Sequence, residues 1–337
     1  MSVRVHCILS GALRDIPAQA RLLESCGFDG VVAAELEHDV FLPLLLAAEH
    51  TTRLRIASGI AVAFARNPML LATLSHELNA FSGGRFTLGL GSQIQAHITK
   101  RFSMPWSDPA KRMREMILAI RAIHADWYDR VKLDFRGEYY THTLMTPMFR
   151  PRDTQSGKPP VCLAAVGPLM TQVAGAVADG IFLHSFTDES YIRAHTLKSL
   201  NAGLESADRQ RSACRIFFSP FIIGGATSEQ VEAARASVAS RLAFYASTPA
   251  YLAVLEQHGW QDIQPRLQAM TRENRWADMA KLITPEMLKV FAVEGSAAEI
   301  ARQLQNRYGD FVTDWVLGSE TLPVAMLAEI ADKIRAG

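Results

Sequence analysis

The chain has 337 residues, of which 49% are hydrophobic and 20% charged, with a formal net charge of +1. That balance supplies a large apolar core, excludes the highly charged, weakly hydrophobic disordered class, and leaves no basic excess for nucleic acid. The longest apolar run, residues 40–48, is too short to cross a bilayer, and the amino terminus enters a strand pattern with no signal-peptide core. Cys7, Cys26, Cys162 and Cys214 are scattered, with no Cys-x-x-Cys pair, so they read as reduced thiols rather than a disulfide framework or a zinc site. The expectation is a soluble cytoplasmic protein with no membrane or nucleic-acid partner.

Along the chain, residues 3–9 read as a first strand and 16–25 as an amphipathic helix, with Asp15 as its cap and Pro17 in its first turn. A second strand at 31–34 ends among Glu35, Glu37, His38 and Asp39. Helix 41–50, strand 54–58 ending at Gly59-Ile60, and helix 68–81 follow. The segment Phe81-Ser-Gly-Gly-Arg-Phe-Thr-Leu-Gly-Leu-Gly-Ser-Gln93 packs a helix end, a turn, a buried strand and a polar strand end into thirteen positions. A polar excursion at 92–108, a periodic helix at 109–127, a hairpin around Gly137 at 132–140 and a proline-containing connector at 147–160 come next. Strands at 161–165 and 180–184 flank a helix at 168–178. Helix 191–204, a seventh strand at 214–223, a helical stretch at 228–291, an eighth strand at 313–317 and a closing helix from Pro323 complete the chain.

Eight strands alternating with helices predict a (β/α)8 TIM barrel in one domain, 1–337, with a helical insertion (about 228–291) between strands 7 and 8; an open doubly wound sheet is the second choice. Barrels of this kind build their sites at the carboxyl ends of the strands. Those ends carry Glu35 and His38, Gly59-Ile60, Gly91-Ser92, Val166-Gly167, His184 and Gly224-Gly225.

Several chemistries are excluded at this stage. The third glycine of a dinucleotide fingerprint would fall on Ile94, no phosphate-loop Gly-Lys-Ser/Thr occurs, and there is neither a paired-histidine metal spacing nor a Gly-x-Ser-x-Gly elbow. Ala165-Val166-Gly167-Pro168, a strand end followed by glycine and a helix-initiating proline, leaves outward backbone N–H groups suited to an anion. His97, Lys100, Arg101, Arg112 and Arg114 offer positive charge for the same ligand. Glu35 and His38 are the candidate acid and base, with the Glu35 carboxyl desolvated by the strand it follows.

Five stretches resemble the bacterial-luciferase-like superfamily, in particular its branch of oxidoreductases dependent on the deazaflavin coenzyme F420. They are Ile60-Ala-Val-Ala-Phe-Ala-Arg-Asn-Pro68, residues 81–93, Arg112-Met-Arg-Glu115, Thr143-Leu-Met-Thr-Pro147 and Leu163-Ala-Ala-Val-Gly-Pro168, with further likeness at 244–249, 258–260 and 291–293. The resemblance implies a homodimeric barrel with the cofactor at the carboxyl ends of its strands. It implies a non-prolyl cis peptide at Gly59-Ile60 behind the deazaflavin ring. Gly91, Ser92, Gln93 and His97 would lie alongside the cofactor, Ala165, Val166 and Gly167 at its phosphate, and His184 beside them. Glu35 and His38 fall where relatives place acid/base or substrate-facing groups. Val40 and Ser185 stand where the branch commonly has proline. The implied reaction is hydride transfer to or from a small organic or peptide-borne substrate, as C=C or C=N reduction or alcohol oxidation. The alternatives are an FMN-dependent monooxygenase and a barrel that binds a cofactor without turnover.

Overall fold

The computed structural model describes residues 2–318 and 322–336. Its main sheet runs in the order Arg55–Ser58, Gly30–Ala33, Arg4–Leu9, Asp314–Leu317, Arg215–Phe218, Gly180–Leu183, Val161–Ala165 and Phe86–Gly91. Phe86–Gly91 pairs back in parallel with Arg55–Ser58 through Ile56↔Phe86 and Ala57↔Thr87. The fold is therefore the expected (β/α)8 barrel. By contact density the chain divides into two compact units.

The first unit comprises residues 9–182 and 199–215. Its strands read as continuous apolar runs because both faces are covered: Val31, Ile56, Leu88, Leu163 and Ile181 have no exposed surface. The helices start where the sequence places a stop signal for the preceding strand. Asn67 accepts the Leu70 N–H at 3.0 Å ahead of Pro68–Phe81, and Asp108 accepts from Lys111 ahead of Pro109–Asp129. Asp15 precedes the Ile16–Ser25 helix as expected, but its side chain makes no capping bond. A 3-10 turn, Leu13–Asp15, runs directly into that helix, so the Asp15 backbone is already helical and not in the extended conformation that a capping residue adopts. The hairpin is displaced from its expected range, with Phe135–Arg136 antiparallel to Thr141–His142.

Where the Pro68–Phe81 and Pro109–Asp129 helices pack, His124 is only 2% exposed, its Nε2 lying 3.4 Å from the Ala72 carbonyl and 3.5 Å from Ser75 Oγ. Burial pushes its pKa down to about 4, with His76 adding repulsion. Because the folded value lies below the unfolded one of 6.5, the unfolded chain binds more protons between those limits. His124 therefore costs nothing above pH 6.5 and progressively destabilises the fold as pH falls toward 4. The wild type is expected to lose about 2 kcal/mol between pH 7 and pH 5 that a His124→Leu variant keeps. Urea midpoints at the two pH values measure the difference, and parallel losses in both proteins would refute it.

The second unit comprises residues 2–8, 183–198 and the described part of 216–337. Arg4–Leu9 pairs with Asp314–Leu317 in the register Arg4↔Asp314 to Cys7↔Leu317. The predicted seventh strand, 214–223, is broken. Arg215–Phe218 stays in the barrel sheet, while Phe221–Ile223 leaves it and pairs in parallel with Ala292–Glu294 at the end of the insertion. Pro220 lies at the break, and a proline has no N–H to give a ladder. The insertion is helical as expected, with Ser228–Ala246 and Ile263–Arg272 its longest helices. Phe221, Leu242, Val254, Leu267 and Phe291 form its buried core. Among the described residues no helix is long and apolar enough to cross a membrane, and Cys7, Cys162 and Cys214 are buried.

Candidate active site

At the carboxyl end of Gly30–Ala33, the Glu35 carboxylate is 8% exposed and meets three donors. The Val62 N–H reaches Oε2 at 2.7 Å, and the Arg66 guanidinium closes a fork on Oε2 and Oε1 at 2.7 and 2.8 Å. The same guanidinium binds Asp39 at 2.7 Å. Burial acts against the Arg66 charge, but the two carboxylates outweigh it and raise its pKa. Glu35, expected as the proton-transfer group, is thus engaged as the counter-ion of a guanidinium. His38 is half-buried and, among the described residues, makes no hydrogen bond, so its ring nitrogens are open to a ligand or solvent.

The Gly59–Ile60 peptide is cis, and both of its residues are tied to the second strand's end: Gly59 N–H donates to the Ala33 carbonyl (2.7 Å) and Ile60 C=O accepts from Glu35 N–H (3.3 Å). Ala61–Val62 then pairs with Leu90 and Gly91. A β-carbon on Gly91 would stand 2.7 Å from the Ile60 side chain, so any other residue there would have to displace Ile60. Ser92 and Gln93 follow, half-buried, and Gln93 adopts a positive φ of 60°. His97 is exposed at the start of the His97–Arg101 turn. Ala165 is buried, Val166 half-buried, and Gly167 exposed as the N-cap of Pro168–Val177. Gly167 has no side chain to cap that helix, and a β-carbon there would meet nothing within 4 Å. The leading N–H groups are left to solvent or an anion. Glu35, His38, Gly59, Ile60, Gly91, Ser92, Gln93, His97 and residues 165–167 all belong to the first unit. His184 belongs to the second, packed between Tyr245 and Tyr251. Among the described residues no cluster of metal-binding side chains occurs.

A family model for luciferase-like monooxygenases matches residues 4–314. The chain belongs to that family. An uncharacterized protein of Mycobacterium tuberculosis (strain ATCC 25618 / H37Rv) is 47% identical over 306 residues, which cover 91% of this chain and 88% of that one. The 5,10-methylenetetrahydromethanopterin reductase of Archaeoglobus fulgidus is 27% identical over 311 residues, covering 90% and 89%. Among solved structures, the coenzyme F420 dependent tetrahydromethanopterin reductase of Methanopyrus kandleri superposes with a TM-score of 0.81 at 18% identity, over 99% of this chain and 98% of that one. The family is one of oxidoreductases on a TIM barrel.

Two features of this luciferase-like site were missed or misread at the level of sequence. Arg66 was not singled out, although it is the one charged residue in the apolar run 60–66, which is a signal of a buried partner. Arg112 looked like a cation for a ligand, but it is 7% exposed and structural. It lies 4.4 Å over the Phe64 ring and donates to the Tyr140 hydroxyl (2.8 Å) and the Pro105 carbonyl (2.9 Å). One turn on, Glu115 accepts the N–H groups of Glu138, Tyr139 and Tyr140 at 2.9, 2.7 and 2.6 Å. The Arg-x-x-Glu pair thus staples residues 138–140 and Pro105 onto its helix, because i and i+3 share a face.

Proposed function

We propose that this protein is an F420-dependent oxidoreductase that moves a hydride between the deazaflavin and a small organic or peptide-borne substrate. The observation that carries the reading is the lining of the first unit's strand ends. Gly59–Ile60, Gly91–Ser92 and Ala165–Gly167 present backbone and small side chains where a planar, phosphate-bearing ligand needs close approach and free amides. The Archaeoglobus and Methanopyrus reductases, the second bearing the coenzyme in its name, support the choice of deazaflavin within the family.

Deazaflavin, with carbon in place of flavin's reactive ring nitrogen, exchanges two electrons as hydride with a substrate carbon. The chain's own residues do the rest. Ile60, Gly91 and Ser92 would position the ring, and the amides after Gly167 would hold the phosphate. The Glu35–Arg66–Asp39 ion pairs keep the loop after the second strand in one shape, and that loop presents His38. With its ring nitrogens open, His38 is the group that gives or takes the substrate proton.

Binding titrations of the purified protein with oxidised F420 and, in parallel, FMN test the assignment. Tighter binding of F420 is expected. Tighter binding of FMN would transfer the protein to the flavin monooxygenases of the same barrel.

A further inference from the structure

The hydrogen bonds around His184 determine where its proton sits, and through it the direction of the Tyr251 hydroxyl. His184 follows the Gly180–Leu183 strand. It stacks on Tyr251 (centroids 4.5 Å apart, planes at 26°) and meets Tyr245 edge to face at 4.6 Å. Its Nδ1 lies 3.0 Å from the Phe186 amide N–H, and its Nε2 3.2 Å from the Tyr251 hydroxyl. An amide N–H only donates, so Nδ1 must present its lone pair. Burial, with Arg241 adding repulsion, pushes the His184 pKa down to about 4 and keeps the ring neutral. A neutral imidazole with its lone pair on Nδ1 carries its proton on Nε2. Nε2–H therefore donates to the Tyr251 oxygen, and the phenol proton is directed elsewhere. Burial, with Tyr245 adding to it, raises the Tyr251 pKa to about 12, so that proton is present at any physiological pH. Among the described residues no protein atom accepts it.

We infer that Tyr251 is a hydrogen-bond donor built for an uncharged acceptor oxygen, the carbonyl or hydroxyl of a small substrate. The surroundings select against a charged one. Phe186 and Tyr245 flank Tyr251 with ring centroids at 5.9 and 6.0 Å. Between these apolar rings the phenol offers one neutral donor, which a ketone or alcohol oxygen can meet at a smaller desolvation cost than a carboxylate. His184 orients the phenol but cannot resupply it with a proton, because its Nδ1 is occupied by an amide. Tyr251 is thus a recognition donor and not a link in a relay. The inference rests on the oxidoreductase reading only in calling the ligand a substrate.

The test uses the full-length protein without deazaflavin, so a failed cofactor titration leaves it standing. Cyclohexanone and cyclohexanol serve as probes, with methylenecyclohexane as the shape-matched hydrocarbon lacking an acceptor. Binding is followed by NMR on ¹³C-tyrosine and ¹⁵N-histidine labels. Both oxygenated probes are expected to shift the Tyr251 signal saturably, and Tyr251→Phe, which keeps the stack, to weaken them about tenfold. Methylenecyclohexane should bind the two proteins alike, and His184 should show the Nε2–H tautomer. No saturable shift at Tyr251 with either probe, equal affinity of the two proteins, or an Nδ1–H spectrum overturns the inference.

Discussion

His38→Ala is expected to lower kcat by about a hundredfold or more while leaving deazaflavin affinity near that of the wild type. Hydride transfer to carbon leaves a proton to be moved, and the two polar groups after the second strand differ in their freedom to move one. Both Glu35 oxygens are held by Arg66, and Oε2 also by the Val62 amide. At a site 8% exposed, both oxygens are thus committed to charge-assisted bonds. His38 has no such commitment. Glu35→Gln should therefore act on stability, by about 3 kcal/mol, because it removes one charge of a largely buried pair. Its effect on kcat should be the smaller of the two, following from a loosened loop. Urea unfolding and steady-state rates on any substrate on which the wild type proves active separate the two roles. An undiminished urea midpoint in Glu35→Gln together with a hundredfold loss of kcat would return the proton to Glu35.

Gly167→Asp should weaken deazaflavin binding by about ten- to a hundredfold without destabilising the fold. At the N-cap of Pro168–Val177 the backbone is extended, with φ −80° and ψ 159°, a conformation aspartate adopts freely. A β-carbon there has open space, so the protein itself is not crowded by the substitution. Aspartate is moreover a favoured cap, and its carboxylate would accept the amides that glycine leaves open, so stability should hold or rise by a few tenths of a kcal/mol. The same carboxylate then competes with, and repels, the phosphate for which those amides are proposed. Isothermal titration and urea unfolding on one preparation provide both readouts. Unchanged affinity would remove this turn from the cofactor site.

The sequence alone was enough to establish the barrel, because the signals that specify it are local. Apolar runs punctuated by glycine and proline marked Pro68–Phe81 and Val161–Ala165 to the residue, and eight such strands leave one common closed solution. The candidate strand ends were legible for the same reason, since Gly59, Gly91 and Gly167 stand at the last positions of local patterns. What those ends do with their charges was not legible. Arg66 and Glu35 are 31 residues apart, Tyr251 and His184 67 apart, and Pro220 is visible as a strand breaker only once Ala292–Glu294 arrives to pair with the half it releases. A carboxylate after a strand carries the same local signal whether it is an acid or a counter-ion. Only the tertiary structure brings Arg66 and Val62 to that carboxylate, because ion pairing and hydrogen bonding act over about 3 Å of space and take no account of the distance along the chain.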